Sequence, residues 1–168
     1  MKQGPRYHVK LRRQREGKTD YRRRLRLLKS RKTRIVVRNS LNNTQVQFVE
    51  YHEEGDKVLV SAISSELVKE YQWKYSAATT PAAYLTGLLA GKKAVDKGIK
   101  EGILDLGRCV PVTGSKVFAA LKGVLDAGVE CPCDDEKIPG EDRILGKHLN
   151  KEIMPVVNDI KSKIIGGK

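Results

Sequence analysis

A phosphodiester-cleaving centre would be built on carboxylates, and the sequence offers Asp96, Asp105 and Asp126 for one. Two-metal hydrolysis requires several carboxylates to converge on the ions. Asp96 and Asp126 fall near the ends of predicted helices, where solvated aspartates are common, and only Asp105 lies in a strand-like segment. The histidines are scattered, with His8 in a basic tail, His52 beside a turn and His148 in a late polar segment. No nucleophile elbow, Walker loop or HExxH pattern accompanies them. Cys131-Pro132-Cys133 places one residue between its thiols, not the two usual for zinc or thioredoxin chemistry, and Cys109 is distant. Three cysteines close no disulfide framework. The expectation is a protein with no catalytic residues, no cofactor and no metal.

Arginine is the residue type that recurs with a chemical purpose. The chain carries 33 Lys and Arg against 20 Asp and Glu, net +13, and the excess is local. Residues 1–38 hold 16 of the basic residues and only Glu16 and Asp20, a net +14, which leaves the remainder at −1. A block of one sign repels itself and requires a polyanion to settle against. Nucleic acid is the commonest such partner and an anionic membrane the second. Arginine donates paired hydrogen bonds to phosphate and stacks on bases. Lys10, Arg12, Arg13, Arg15 and Lys18 therefore suit a phosphate path, and Tyr7 and Tyr21 suit stacking on unpaired bases. Arg22, Arg26 and Lys29 share one face of a predicted helix. Arg22, Arg23 and Arg24 crowd its first turn, the end where the macrodipole disfavours cations. Neither basic-zipper heptads nor a Cys-His finger is present, so RNA is preferred to DNA. Trp73 and Tyr75, beside Lys74, form either a stacking site or an anchor for an irregular segment. Gly114-Ser115-Lys116 is either a phosphate site at a helix start or an ordinary cap.

The elements that position these residues follow from periodicity. Residues 1–18 read as an extended tail, disordered alone because nothing in them offsets the ordering entropy. Thr19 is the candidate N-cap of a helix to about Lys29, with Tyr21, Leu25 and Leu28 as its apolar stripe. Thr33 to Arg38, Gln45 to Phe48 and Val58 to Ile63 predict an antiparallel three-strand meander, in which Val58, Val60 and Ala62 share a face. Ser64 and Ser65 cap a short helix over 66–71. Thr80-Pro81 starts a helix running to about Lys97, with Tyr84, Leu88 and Val95 on its core stripe. Gly87 and Gly91 let another backbone come close to it. Gly102 to Leu106 predicts a short strand parallel to a neighbour, and Gly114-Ser115 a further helix ending at Gly128. Two amphipathic segments follow, at about 141–150 and 156–165. The fold class is α/β, a mixed sheet with covering helices, plus a basic extended N-terminal arm and a helical C-terminal tail. Three regions result: a basic RNA-binding arm and short helix over 1–32, an α/β globular body over 33–130, and a C-terminal loop and helical extension over 131–168.

At 39% hydrophobic and 32% charged residues the chain can bury a core. No apolar run approaches the roughly 18 residues that span a bilayer. No signal-peptide core follows Met1-Lys2-Gln3-Gly4-Pro5-Arg6, so an intracellular, cytoplasmic location and no membrane partner are expected.

Four stretches together resemble the ribosomal L-eighteen family in its archaeal form, whose eukaryotic counterpart is L-five. They are Gly4-Pro5-Arg6-Tyr7, Arg12 to Tyr21 (RRQREGKTDY), Thr80 to Ala90 (TPAAYLTGLLA) and Gly114 to Gly128 (GSKVFAALKGVLDAG). They occur in the family's order and span most of residues 4–130. The resemblance implies a 5S ribosomal RNA binder in the central protuberance of the large subunit, with an α/β body of ribonuclease-H-like shape and no nuclease activity. 23S ribosomal RNA and neighbouring large-subunit ribosomal proteins are the implied further partners. RNA contact is carried onto the arm and first helix: Arg6, Tyr7, Lys10, Arg12, Arg13, Arg15, Lys18, Tyr21, Arg22, Arg23, Arg24, Arg26, Lys29, Arg31, Lys32 and Arg34. Lys92 and Lys93 are added to them. Two other classes stay open, a metal-dependent nuclease using the aspartates and a general binder of anionic membranes or chromatin.

Overall fold

Segments rich in β-branched residues, separated by short polar turns, pair with their sequence neighbours. In the computed structural model, which describes residues 4–150 and 152–166, β1 (Arg34–Asn39), β2 (Thr44–Glu50) and β3 (Lys57–Ile63) form the antiparallel meander. Met1 to Gln3 of the expected tail, and Lys151, Gly167 and Lys168 of the expected extension, lie outside the described residues. The first turn is fixed by Ser40, whose hydroxyl accepts from the Asn43 amide at 2.9 Å while its own amide donates to the Asn43 carbonyl at 2.8 Å. A fourth strand, β4 (Ile103–Asp105), returns parallel to β1, giving the order β3-β2-β1-β4. The sheet is therefore mixed, as read from the sequence.

One irregularity redirects a side chain. Phe48 pairs with Val60, but Val49 pairs with Val58, leaving Leu59 as an extra residue in β3. Such a bulge reverses the facing of the residues beyond it. Val60 and Ala62 enter the core, whereas Val58 lies on the opposite face, 48% exposed. The expected common face for Val58, Val60 and Ala62 is thereby corrected.

Ile35, Val37, Val46, Phe48, Val60 and Ala62 form the core face of the sheet. Across it lies α4 (Thr80–Asp96), on which α5 (Lys116–Asp126) packs. The contact is close because of glycine: a Cβ on Gly87 would lie 1.9 Å from the Ala120 carbonyl oxygen, and one on Gly123 would lie 2.1 Å from that of Tyr84. The α4 cap is Thr79 rather than Thr80, its hydroxyl accepting from the Ala82 amide at 3.4 Å. Burial continues around the whole circumference of α4 from Thr80 to Gly91, because sheet, α5 and the C-terminal helices surround it. Val95, expected in the core stripe, lies beyond that enclosure and is 40% exposed.

Next to the sheet, α3 (Ser64–Tyr71) buries Ser64, whose hydroxyl accepts from the Thr44 amide at 3.0 Å. Ser64 thus ties a helix to a strand rather than capping the helix. Trp73 is buried, with its indole N–H donating to the Ser76 carbonyl at 3.2 Å and its ring edge-on to Tyr75. Anchoring, not stacking on a ligand, is what this pair does here.

The C-terminal segments depart from their expected lengths. Helix α6 (Glu141–Ile144) stops well before residue 150, and Gly146, at φ +79, takes the left-handed conformation that breaks the helical path. Helix α7 (Ile153–Gly166) is longer than expected. It sets Ile153, Val157, Ile160 and Ile164, an i, i+4, i+7, i+11 stripe, into the same core as α4. Asp126 joins the layers, accepting from the Tyr84 hydroxyl at 2.8 Å and pairing with Lys122 at 3.1 Å. Burial and this carboxylate together push the Tyr84 phenol well above its ordinary range.

Candidate nucleic-acid interface

The basic segment lies across the face of the sheet that α4 does not cover. Part of the expected extended tail is instead helix α1 (Arg12–Arg15), one turn long. Its geometry is supported locally by Glu16, which pairs with Arg12 at 3.8 Å and Lys18 at 2.9 Å. Thr19 does not cap the next helix, because its hydroxyl accepts from Arg13 Nε at 2.9 Å. Asp20 caps α2 (Tyr21–Lys29) instead, accepting from the amides of Arg22 at 3.0 Å and Arg23 at 3.2 Å. The Arg23 amide bond foremost, with help from Arg22 and the nearby Arg23 and Arg108 guanidinium groups, holds the Asp20 carboxyl below its ordinary range. Tyr21, Arg24, Leu27 and Leu28 form the half-buried face of α2, and Leu25, expected in the stripe, is 57% exposed. The 3.6-residue turn selects i, i+3, i+6 and i+7 here, with the aliphatic stem of Arg24 in place of Leu25.

Under α2, five side chains form a line of alternating charge. Arg24 pairs with Asp56 at 2.8 Å, and Asp56 with Arg34 at 2.5 Å. Arg34 then pairs with Asp105 at 2.9 Å, and Asp105 with Arg38 at 3.3 Å. Asp105 also accepts from the Gly107 amide at 2.7 Å. Arg34, expected among the RNA-contacting residues, is 3% exposed, and its terminal nitrogens are committed to two carboxylates. Its Nε is buried without a partner among the described residues. Asp105 is likewise occupied as the counterion of Arg34 and Arg38. Asp96 and Asp126 lie on α4 and α5, on the other side of the sheet, and no cluster of His, Cys, Asp or Glu able to hold a metal ion occurs among the described residues.

The other arm cations differ in how free they are. Arg23 donates to the Gly107 carbonyl at 3.2 Å, and Lys32 pairs with Glu101 at 2.5 Å. Arg6, Lys10, Arg15, Arg22, Arg26, Lys29 and Arg31 have no carboxylate partner among the described residues and are exposed. Tyr7 is 51% exposed and Tyr21 half-buried. Lys92 and Lys93 lie on α4, in the other layer, and Lys93 is paired with Glu66 at 2.6 Å. The fold gathers Arg13, Lys18, Arg23, Arg24 and Arg26 at one site and leaves these two lysines apart from them.

Between α2 and the uncovered sheet face is a cavity of about 570 Å³. Arg13, Lys18, Arg23, Arg24, Arg26, Arg34 and Arg38 line it together with Asp20, Asp56 and Asp105, so cations exceed carboxylates by four. Leu27, Val36, Val49, Val58 and Leu106 supply apolar walls, and the half-buried Gln47 presents a side-chain amide with no partner among the described residues. Arg38, Gln47 and Asp56 were not singled out from the sequence. Arg38 had a legible signal, since it follows Arg34 by four residues in a strand and so shares its face. Gln47 carried the same signal through its alternation with Val46 and Phe48.

No helix among the described residues is long and apolar enough to cross a membrane. Residues 5–101 match the family described as ribosomal large subunit proteins 60S L5, and 50S L18. The chain is 54% identical over 149 residues to the large ribosomal subunit protein uL18 of Aeropyrum pernix, covering 89% of this chain and 70% of the relative. It is 53% identical over 149 residues to the protein of the same name from Korarchaeum cryptofilum, covering 89% and 76%.

Proposed function

We propose, from the premise that the chain belongs to this family of large-subunit ribosomal proteins, that it binds 5S ribosomal RNA and helps to anchor it in the central protuberance. It is a structural constituent of the cytoplasmic large ribosomal subunit, not an enzyme. The observation that carries the RNA reading is the set of exposed arm cations without internal carboxylate partners, on a chain whose remainder is close to neutral. Such charges gathered in one segment are costly to leave uncompensated and are neutralised by phosphate. Residues 1–32 act as the RNA-binding arm. Its exposed first part, with Arg6, Tyr7 and Lys10, orders along phosphates and unpaired bases on binding. The α/β body of residues 33–130, related to the ribonuclease-H-like shape, presents the preformed surface against which the arm works. Lys92 and Lys93 make a second, lesser contact on another face. Residues 131–168 and the outer surface of the helices are left for 23S ribosomal RNA and protein neighbours.

The test is a salt titration of binding to 5S ribosomal RNA and to duplex DNA of matched length. The chain is compared with a variant carrying Arg22→Gln, Arg26→Gln and Lys29→Gln. 5S RNA binds more tightly than the duplex, and the variant's log–log salt slope is shallower by about 2 for three lost phosphate contacts. Equal affinity for the two nucleic acids reduces the arm to a generic polyanion binder, and an unchanged slope shows that Arg22, Arg26 and Lys29 make no phosphate contact, which overturns the arm reading.

A further inference from the structure

We propose that the cavity between α2 and the uncovered face of the sheet is a receptor for one unstacked nucleotide of the bound RNA. The inference rests on the RNA reading above and adds a subsite to it.

The cavity has two chemically distinct parts. Its floor is apolar, made by Val36 of β1, Val49 of β2 and Val58 of β3. Val58 belongs to this floor only because the bulge at Leu59 turns it away from the core. Apolar surface of this kind covers the face of a base lifted out of its stack. Among these valines, Gln47 presents an amide that both donates and accepts and has no partner among the described residues. That amide is suited to the edge of a base, whose ring nitrogens and exocyclic groups offer the complementary donors and acceptors.

The other part is cationic. Arg38, whose side chain is 43% exposed, is held in place by Asp105, and Arg26 lines the opposing wall from α2. A guanidinium at the mouth reaches the phosphate that tethers a base, and its plane stacks on the base if the nucleotide tilts. The size fits: at about 570 Å³ the space falls in the range of sites that enclose a small ligand. A purely anionic ligand such as orthophosphate leaves the valine floor and Gln47 unused, and a purely apolar ligand leaves an excess of four positive charges uncompensated. A nucleotide uses both. An unpaired nucleotide of a folded RNA is preferred to a free one, since the neighbouring phosphates meet the exposed cations of α2 at the same time.

Methyl and side-chain amide signals of Val36, Val49, Val58 and Gln47 are followed by NMR in the full chain as three probes are added separately: 5S ribosomal RNA, a mixture of the four nucleoside 5′-monophosphates, and orthophosphate. Two variants, Val58→Trp, which fills the cavity without changing charge, and Gln47→Ala, are assayed for 5S RNA affinity. The RNA shifts all four residues, the monophosphates shift them weakly, and orthophosphate leaves the valines unmoved. Val58→Trp lowers affinity about tenfold, the worth of one stacked base, and leaves the salt slope unchanged because no phosphate contact is lost. Gln47→Ala, the milder change, lowers it in the same direction. If the RNA binds with its expected salt dependence while the four residues stay unshifted and both variants bind as the parent does, the subsite is refuted and the RNA reading stands. If monophosphates bind as tightly as the RNA, the cavity is a free-nucleotide site and the proposal is wrong about its source. If the chain fails to bind 5S RNA, both readings fall.

Discussion

Replacing Asp105 with alanine separates a structural carboxylate from a catalytic one. In the fold Asp105 is 6% exposed and accepts from Arg34, Arg38 and the Gly107 amide. Its loss leaves Arg34 buried with only Asp56 as counterion, and leaves the Gly107 amide without its carboxylate. Removing one partner of a buried ion pair costs about 3–5 kcal/mol, because the remaining charge stays desolvated. Asp56 still compensates part of the Arg34 charge, and the Arg38 contact is half-exposed and contributes little. The lower end, about 3 kcal/mol, is therefore expected. In a chain of this size that corresponds to a fall of roughly 6–12 °C in Tm. Urea unfolding followed by circular dichroism measures it, with Arg34→Met, Asp105→Leu as the companion double variant. The double variant recovers most of the loss, since an apolar pair in place of a buried ionic one is often neutral or better. A loss below about 1 kcal/mol for Asp105→Ala would refute the buried-network reasoning, as that is the scale of an exposed pair. So would a double variant no more stable than the single one.

Gly123→Ala drives a methyl into the Tyr84 carbonyl and forces α4 and α5 apart; a loss of at least about 1–3 kcal/mol in the same urea assay is expected. Asp20 stabilises the start of α2 in its ionised form, and its folded pKa lies below the ordinary value of 3.8. That contribution is present above pH 3.8 and lost as the pH falls through the lower folded value. Amide exchange in α2 measured across that acid range should accelerate, and in Asp20→Ala the protection should be reduced and insensitive to pH there. Burial pushes the Cys131 thiol up to about 11, whereas Cys109 is exposed. Alkylation at mildly alkaline pH, read by mass spectrometry, should therefore modify Cys109 well before Cys131.

Much of this protein is readable from local order in its sequence. The one-sign charge of residues 1–38, the turn-punctuated alternation of the meander and the Thr-Pro start of α4 need only the neighbours within a few positions. Gly87 and Gly91 announced a close helix contact, because a missing Cβ matters only where another backbone approaches. What the sequence left undecided depends on partners far along the chain. Arg34 reads as one more cation of the arm, yet its charge is taken by Asp56 and Asp105, 22 and 71 residues away. Val58 alternates with Val60 like a core residue, and only the register against β2 reveals the bulge that moves it to the cavity. Leu25 and Val95 fit helical stripes, but a stripe is buried only as far as another layer extends to cover it. Periodicity fixes which residues share a face. What that face meets is set by strand pairing and layer packing, which are long-range, so the tertiary structure alone turned a basic segment into a charged cavity with an apolar floor.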